Sequence, residues 1–292
     1  MPTVVLNGAF VGLVYGLLAV GLVVTYRTSR IINFAYGETG MLAAFFYFDM
    51  RLGRSTSTIQ HDHGIGLALP AALLIGALIG LAMEWTIARP LRSNPTLNGM
   101  VATIGASLLF LTVATHRWGI QVRLTRPLVE GSGVRAAGLT ISPSQLLIGG
   151  CALAILAALA ALYRFTSLGL RFRATALNPY GAALSGINTN ATSMATWAIA
   201  GALSALSAIL IAPLVAPNVF FMTLLALRAF AAALVGGLTS IWGGFLAGVL
   251  LGVFEGVVAY KSPIAGVTDV IVAVGIIVLV VARPGGLVRA QY

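Results

Sequence analysis

Residues 229–260, AFAAALVGGLTSIWGGFLAGVLLGVFEGVVAY, hold a single charge, Glu255. A membrane-spanning helix needs about 20 mainly apolar residues, so this run is too long for one span and too short for two. Its middle, GGLTSIWGG at 236–244, combines four glycines with Thr239 and Ser240. That composition breaks a helix, and non-helical backbone at membrane depth survives only where protein or a water-filled cavity covers it. The run therefore reads as a re-entrant half-helix near 229–241 followed by a full span from about 244.

The same length rule, applied outward, gives apolar spans at 3–25, 32–50, 65–88, 99–115, 146–163, 194–216 and 264–282. The expected fold is an all-α polytopic membrane protein with about eight transmembrane helices plus the half-helix. No linker divides the chain, so residues 1–292 are expected to form one transmembrane domain. Composition agrees: of 292 residues 59% are hydrophobic and 8% charged, against roughly 25% charged in soluble domains, and the mean hydropathy is +0.99. The opening Met1-Pro2-Thr3 lacks a basic n-region, so the first apolar run is expected to remain as a span.

Seventeen Lys and Arg against seven Asp and Glu give a net charge of +10. The arginines are scattered through short connections, which suits headgroup contact better than nucleic acid. They divide almost evenly between the two faces, with Arg228 counted at a span end, so the positive-inside rule leaves the sidedness open. The single cysteine, Cys151, lies in an apolar run and excludes an intrachain disulfide.

Two glycine ladders stand out. Gly8, Gly12 and Gly16 recur every four residues in the first span, and Gly244, Gly248, Gly252 and Gly256 do so in the seventh. Gly76 and Gly80 form a shorter pair in the third. Four-residue spacing puts each set on one helix face, where another backbone can approach closely.

Catalytic chemistry has no visible carrier. The only lysine, Lys261, follows Tyr260, so no Walker A loop exists. The HDH triplet at 61–63 lacks a further ligand nearby and reads as a polar loop, so no metal site is expected. No Ser-His-Asp or paired-carboxylate arrangement appears. Glu38, Glu84 and Glu255 are the ionisable residues inside spans, with Asp269 near an end. Such residues are functional candidates by default, because burying a charge in a bilayer costs at least about 2.5 kcal/mol.

Two polar segments interrupt the apolar pattern. IINFAYGETG at 31–40 gathers Asn33, Tyr36, Glu38 and Thr39 at the mouth of the second span. Residues 164–193 form the other. There Asn178 is a good N-cap, Pro179 suits the first helical position and Gly186 suits a C-terminal cap. The helix between them is built of Tyr180, Gly181, Ala182 and Ala183, with Arg171 and Arg173 upstream. Small residues grip lipid poorly and seat closely in a protein groove.

These motifs, in order, resemble the permeases of branched-chain (hydrophobic) amino acid ABC importers, which are related to urea and amide permeases. GLVYGLLAVGLVVTYRTSRIINFAYGETGMLAAF (12–45) is similar to the family's opening span and its INFAHGE-type motif, with Tyr36 where relatives often carry His. EWTIARPLRSNPTLNGMVATIGASLLF (84–110) resembles its Glu-x4-Arg-Pro-x-Arg stretch. SLGLRFRATALNPYGAALSGIN (167–188) resembles its cytoplasmic coupling segment, though LNPY at 177–180 lacks the acidic residue of many relatives. LRAFAAALVGGLTSIWGGFLAGVLLGVFEG (227–256) and ARPGGL (282–287) resemble the Gly-rich region and the tail.

The resemblance implies a multi-pass subunit of the bacterial plasma (inner) membrane, working with a second related permease, two ATP-binding subunits and an extracytoplasmic solute-binding protein. It places 164–193 on the cytoplasmic side. No cofactor is expected on this chain, with ATP and Mg used by the partner ATPases. The solute would be a branched-chain or hydrophobic amino acid, or a similar small solute such as urea or an amide. A stand-alone secondary transporter or channel is the alternative. Expected pathway or gate residues are Asn33, Tyr36, Glu38, Thr39, Thr239, Ser240 and Glu255, since interrupted segments in two halves mark binding sites in transporters. Glu38 is equally open to a helix-capping role.

Overall fold

The computed structural model describes residues 1–52, 64–92, 96–123, 125, 129, 133–136, 139–262 and 266–282. The HDH triplet, Arg54, Arg126, Glu130 and the tail from 283 lie outside the described residues.

The described chain is helical apart from one small hairpin. In order come α1 (Pro2–Ser29), α2 (Tyr36–Leu52), α3 (Ile65–Met83), a π-turn (Glu84–Ala88), α4 (Arg89–Leu91) and α5 (Thr96–Trp118). The antiparallel pair β1 (Val134–Ala136) and β2 (Leu139–Ile141) follows. Then come α6 (Pro143–Phe165), α7 (Ser167–Leu177), α8 (Pro179–Leu184), α9 (Thr189–Val215), α10 (Phe221–Gly236), α11 (Ile241–Lys261) and α12 (Val267–Ala282). Among the described residues six helical segments are long and apolar enough to cross a membrane, with α10 and α12 shorter apolar helices. The protein is an all-α, multi-pass membrane protein.

Each expected span is a helix, and the differences lie at ends. The second span starts at Tyr36 and not at 32, because Arg30 takes a left-handed φ of 58° and residues 30–33 are non-helical. The third runs on to Leu91 through the π-turn. Pro90 has no N–H to give the carbonyl four residues back and its ring crowds that carbonyl; the widened turn directly precedes it. The short helix expected at 229–241 begins at Phe221 and ends at Gly236. Arg228 therefore sits inside α10, not at a span end. At 1.5 Å per residue, α10 is about 24 Å long, short of the roughly 30 Å hydrocarbon core.

The fold divides into two compact units, each drawn from separate stretches of chain. One comprises Met1–Val23, Pro127–Ala154 and Leu225–Tyr292; the other Val24–Arg126 and Ile155–Leu224. In the first, the two glycine ladders meet each other. A Cβ on Gly8 would lie 2.6 Å from the Gly252 carbonyl, one on Gly12 2.6 Å from that of Val249, and one on Gly16 2.8 Å from that of Phe245. Reciprocally, Gly248 abuts Gly16, Gly252 abuts Gly12, and Gly256 lies over Gly8 and Val4, while Gly244 faces Ala19 and Val23. Beside this seam Ala19, Val23, Ala232, Ala233 and Ala247 form a small-residue core.

In the second unit α2, α3 and α9 pack together. Gly76 and Gly80 of α3 sit on the α9 backbone at Gly201 and Trp197. Trp197 is buried against Ile31, Ala35, Met83 and Ala88.

Candidate functional site

The stretch 31–40 is buried almost throughout, and its polar groups divide sharply. Asn33 turns its Oδ1 back to accept from the Ala35 N–H at 3.0 Å, fixing the entry to α2. Thr39 donates to the Ala35 carbonyl at 2.9 Å. Both are spent on local structure of the kind short polar side chains favour at helix starts. Tyr36 uses its carbonyl to accept from Ser204 at 2.6 Å, but its buried hydroxyl has no hydrogen-bond partner among the described residues.

Glu38 is 1% exposed. Its Oε1 accepts from Thr223 in the first turn of α10 at 2.9 Å, and the Ser107 hydroxyl of α5 lies near the carboxylate. Its Oε2 has no partner among the described residues. So Glu38 ties α2 to α10 through one hydroxyl and keeps one acceptor in reserve. It stands in the first turn of α2, where the helix dipole favours an anion.

The other expected pathway residues belong to the other unit. Gly237, at φ 91°, starts the turn between α10 and α11. Thr239 lies in that turn, and Ser240 caps α11 by accepting from the Gly243 N–H at 3.0 Å. Glu255 is held in a cluster. Its carboxylate accepts from Tyr15 at 2.9 Å and pairs with Arg228 at 3.1 Å. Arg228 also donates to Tyr15 at 3.1 Å and pairs with Asp269 in the first turn of α12 at 2.5 Å. Four helices, α1, α10, α11 and α12, meet at this one guanidinium.

That cluster was not legible as a unit. The sequence singles out Glu255, but it puts Arg228 at a span boundary and gives no sign of Tyr15. The available signal was Arg228 itself, a cation with apolar helix-forming residues on both sides. Asp49 was missed too. It accepts from Trp118 at 2.8 Å and pairs with Arg123 at 2.7 Å. Glu84, wholly buried, pairs with Arg92 at 2.8 Å and not with the nearer Arg89; Arg92 also donates to Asn190 at 2.9 Å.

The 164–193 segment holds two helices where one was expected. Thr166 caps α7, and Asn178 caps α8 by accepting from Gly181 at 2.9 Å. The end of α8 is a Schellman motif: Gly186, at φ 80°, donates to Ala183 at 3.0 Å, and Ile187 to Ala182 at 3.0 Å. Pro179 occupies the first turn and Ala182 is buried, whereas Arg171, Arg173, Tyr180 and Ala183 face outward. Leu177, Tyr180 and Leu184 leave an apolar patch on a polar segment. Beneath it Phe172 packs on Tyr163 at 5.5 Å, and Arg27 lies over the Tyr163 ring at 5.4 Å. Arg30 donates to the Ala176 carbonyl at 3.0 Å, in the last turn of α7.

The family of branched-chain amino acid transport system permease components matches the chain over residues 4–281. The high-affinity branched-chain amino acid transport system permease protein BraD of Pseudomonas aeruginosa is 30% identical over 96% of this chain and 93% of its own length. The LivH proteins of the same description from Salmonella typhimurium and Escherichia coli are 28% and 27% identical, each over 96% of this chain and 93% of their own length. No solved structure matches. The chain is therefore a transport permease and belongs to the branched-chain amino acid transport system permease component family.

Proposed function

We propose that this chain is the membrane permease of an ATP-driven importer of the bacterial plasma membrane, carrying branched-chain or other hydrophobic amino acids into the cell. It supplies the path and the gate and performs no covalent chemistry. Residues 1–292 act as one transmembrane domain beside a second, related permease. Two ATP-binding subunits use ATP and Mg, and an extracytoplasmic protein delivers the solute. The relatives' names speak of branched-chain amino acids, and the chain matches them nearly end to end.

The observation that carries this reading is the outward patch of Leu177, Tyr180 and Leu184 on the α7–α8 segment. Three large apolar side chains exposed beside Arg171 and Arg173 fit a protein groove better than water. In this reading α8 docks on the ATPase, with Asn178, Pro179, Gly181, Ala182, Ala183 and Gly186 fixing its shape. Arg30 and the Tyr163–Phe172 contact pass its movement to the residues before α2. The gate lies at Tyr36 and Glu38, whose unpartnered oxygens offer brief acceptors to a polar solute, with Asn33 and Thr39 holding their backbone. Thr239 and Ser240 line the second interrupted segment, Glu255 joins the Arg228 cluster toward the far end of α11, and the glycine ladders let α1 and α11 pack at backbone distance.

The test is reconstitution in vesicles with both ATPase subunits, the partner permease and the binding protein. Leucine uptake should need ATP and all partners. Gly186→Pro, or the charge reversal Arg173→Glu, should leave ATP hydrolysis running while uptake falls at least tenfold. Uptake by this chain alone would overturn the reading in favour of a stand-alone carrier.

A further inference from the structure

The charged cluster around Arg228 sits at one end of an apolar cavity. The cavity measures about 230 Å³ and is walled by Ala231, Ala232 and Val235 of α10, Leu251 and Phe254 of α11, and Ile276 of α12, among others. On α10, Arg228 precedes Ala231, Ala232 and Val235 by three, four and seven residues, the spacing of one helix face. On α11, Glu255 follows Leu251 by four. On α12, Asp269 precedes Ile276 by seven. The α10–α11 turn brings Gly236 against Gly243 while Arg228 meets Glu255, so the two helices run antiparallel. The three charges therefore gather at the same end, roughly one helical turn, about 5 Å, from the nearest walls on α10 and α11 and about two turns from that on α12.

We infer that this cavity and its charged rim form a binding site for the zwitterion of an aliphatic α-amino acid, with the carboxylate on Arg228, the ammonium against Asp269 and Glu255, and the branched side chain in the cavity. The inference rests on the reading of the chain as an amino-acid permease and names where that solute is held.

Three observations carry it. First, the rim offers both signs of charge within reach of one small molecule. A structural ion pair needs one carboxylate; here Arg228 has two, and their formal charges leave a surplus of one negative. A zwitterion leaves that net charge unchanged but sets an ammonium against the two carboxylates and exchanges its own carboxylate for one of their contacts on Arg228, whose planar fork suits it. Second, the rim is reachable: the Arg228 side chain is 23% exposed and that of Asp269 65%. Third, the cavity is lined only by apolar side chains and is smaller than the roughly 300 Å³ at which pockets for drug-sized ligands begin. It fits a four-carbon branched chain, whose burial there is favourable. A lysine or glutamate side chain would leave a charge unpaired in it, which is costly. A lipid tail would use the apolar walls but leave the two-signed rim without a role.

The test measures radiolabelled leucine binding to the full chain in nanodiscs, with competitors, while the assembled importer is assayed for uptake in parallel. Wild-type protein should bind leucine and isoleucine in competition, with leucinamide, which lacks the carboxylate, and isovalerate, which lacks the ammonium, at least tenfold weaker. Ala231→Leu, which fills the cavity, should weaken leucine at least tenfold. Leu251→Ala only removes atoms, and should shift preference toward phenylalanine by about tenfold. Arg228→Gln should abolish the distinction between leucine and leucinamide.

Absence of leucine binding by the chain alongside leucine uptake by the importer would overturn the site and leave the permease reading standing. So would binding whose strength and selectivity survive both cavity variants. A co-purifying phospholipid lost from Ala231→Leu, with leucine binding unchanged, would assign the cavity to lipid. An assembled importer that moves no amino acid would overturn the permease reading itself.

Discussion

Two carboxylates in the same compact unit are almost completely buried and are treated in opposite ways. Glu84 is 0% exposed and meets the guanidinium of Arg92, which in turn reaches Asn190. Glu38 is 1% exposed and accepts only from the hydroxyl of Thr223, while Oε2 lacks a partner among the described residues in both carboxylates. Where a buried charge has a cation, the pair is fixed, and removing one member leaves the other uncompensated. Where it has only weak neutral donors, the contacts can be exchanged at small cost. Burial alone therefore does not identify a gate; the quality of the partners does. In the proposed reading Glu84 belongs to the frame and Glu38 to the moving part.

The largest effect should come from breaking the frame. Glu84→Ala removes the partner of Arg92 and should cost about 3 kcal/mol, at the lower end of the range for a broken buried pair because Arg92 reaches solvent. Thermal unfolding in detergent should show a lower midpoint and reduced yield of assembled complex. The double variant Glu84→Ala with Arg92→Leu should recover part of that loss. A single variant of wild-type stability would put Glu84 in the same class as Glu38 and dissolve the contrast.

Next comes Glu38 itself. Glu38→Ala removes the hydroxyl contact with Thr223 and should cost about 1–2 kcal/mol. Glu38→Gln keeps an acceptor for Thr223 and should unfold within a few degrees of wild type. If Glu38 belongs to the gate, uptake by the Gln variant should still fall at least tenfold with assembly intact. Full uptake in Glu38→Gln would make the residue a polar tie between helices and nothing more.

The sequence carried the parts of this picture that depend on neighbours in the chain. Apolar run length located every span, and the GGLTSIWGG break falls where the structure ends α10 at Gly236 and caps α11 with Ser240. The Asn178–Pro179–Gly186 pattern located α8 because capping is decided within a few residues. What escaped depends on partners far along the chain. Arg228 looked like a span end because a cation in apolar surroundings is tolerable only with partners, and these are Tyr15, Glu255 and Asp269 on three other helices. Asp49 and Arg123 pair across 74 residues. The glycine ladders announced a close approach, but periodicity cannot say that Gly12 meets Gly252. At 31–40 the composition marked a polar spot, yet it could not separate Asn33 and Thr39, consumed by the Ala35 backbone, from Tyr36 and Glu38, which keep unpartnered atoms.

The smallest change tests the contrast at its weakest bond. Thr223→Val is close to isosteric and removes only the hydroxyl that meets Glu38 Oε1. A hydrogen bond to a charged group contributes about 1.5–3 kcal/mol net, a neutral one about 1. A bond that breaks and reforms as α2 moves should fall at or below the lower of these, so the unfolding midpoint should drop by no more than a few degrees. If Glu38 belongs to the gate, uptake should shift more than stability does, by roughly three- to tenfold, because the bond would bias the resting position of α2 against α10's first turn. Combining Thr223→Val with Glu38→Gln should add little to Glu38→Gln alone, since both remove parts of one contact and effects of touching residues are not additive. Full additivity in that cycle would mean that Thr223 and Glu38 act separately, and the carboxylate would have to be assigned to Ser107 and the α2 dipole instead.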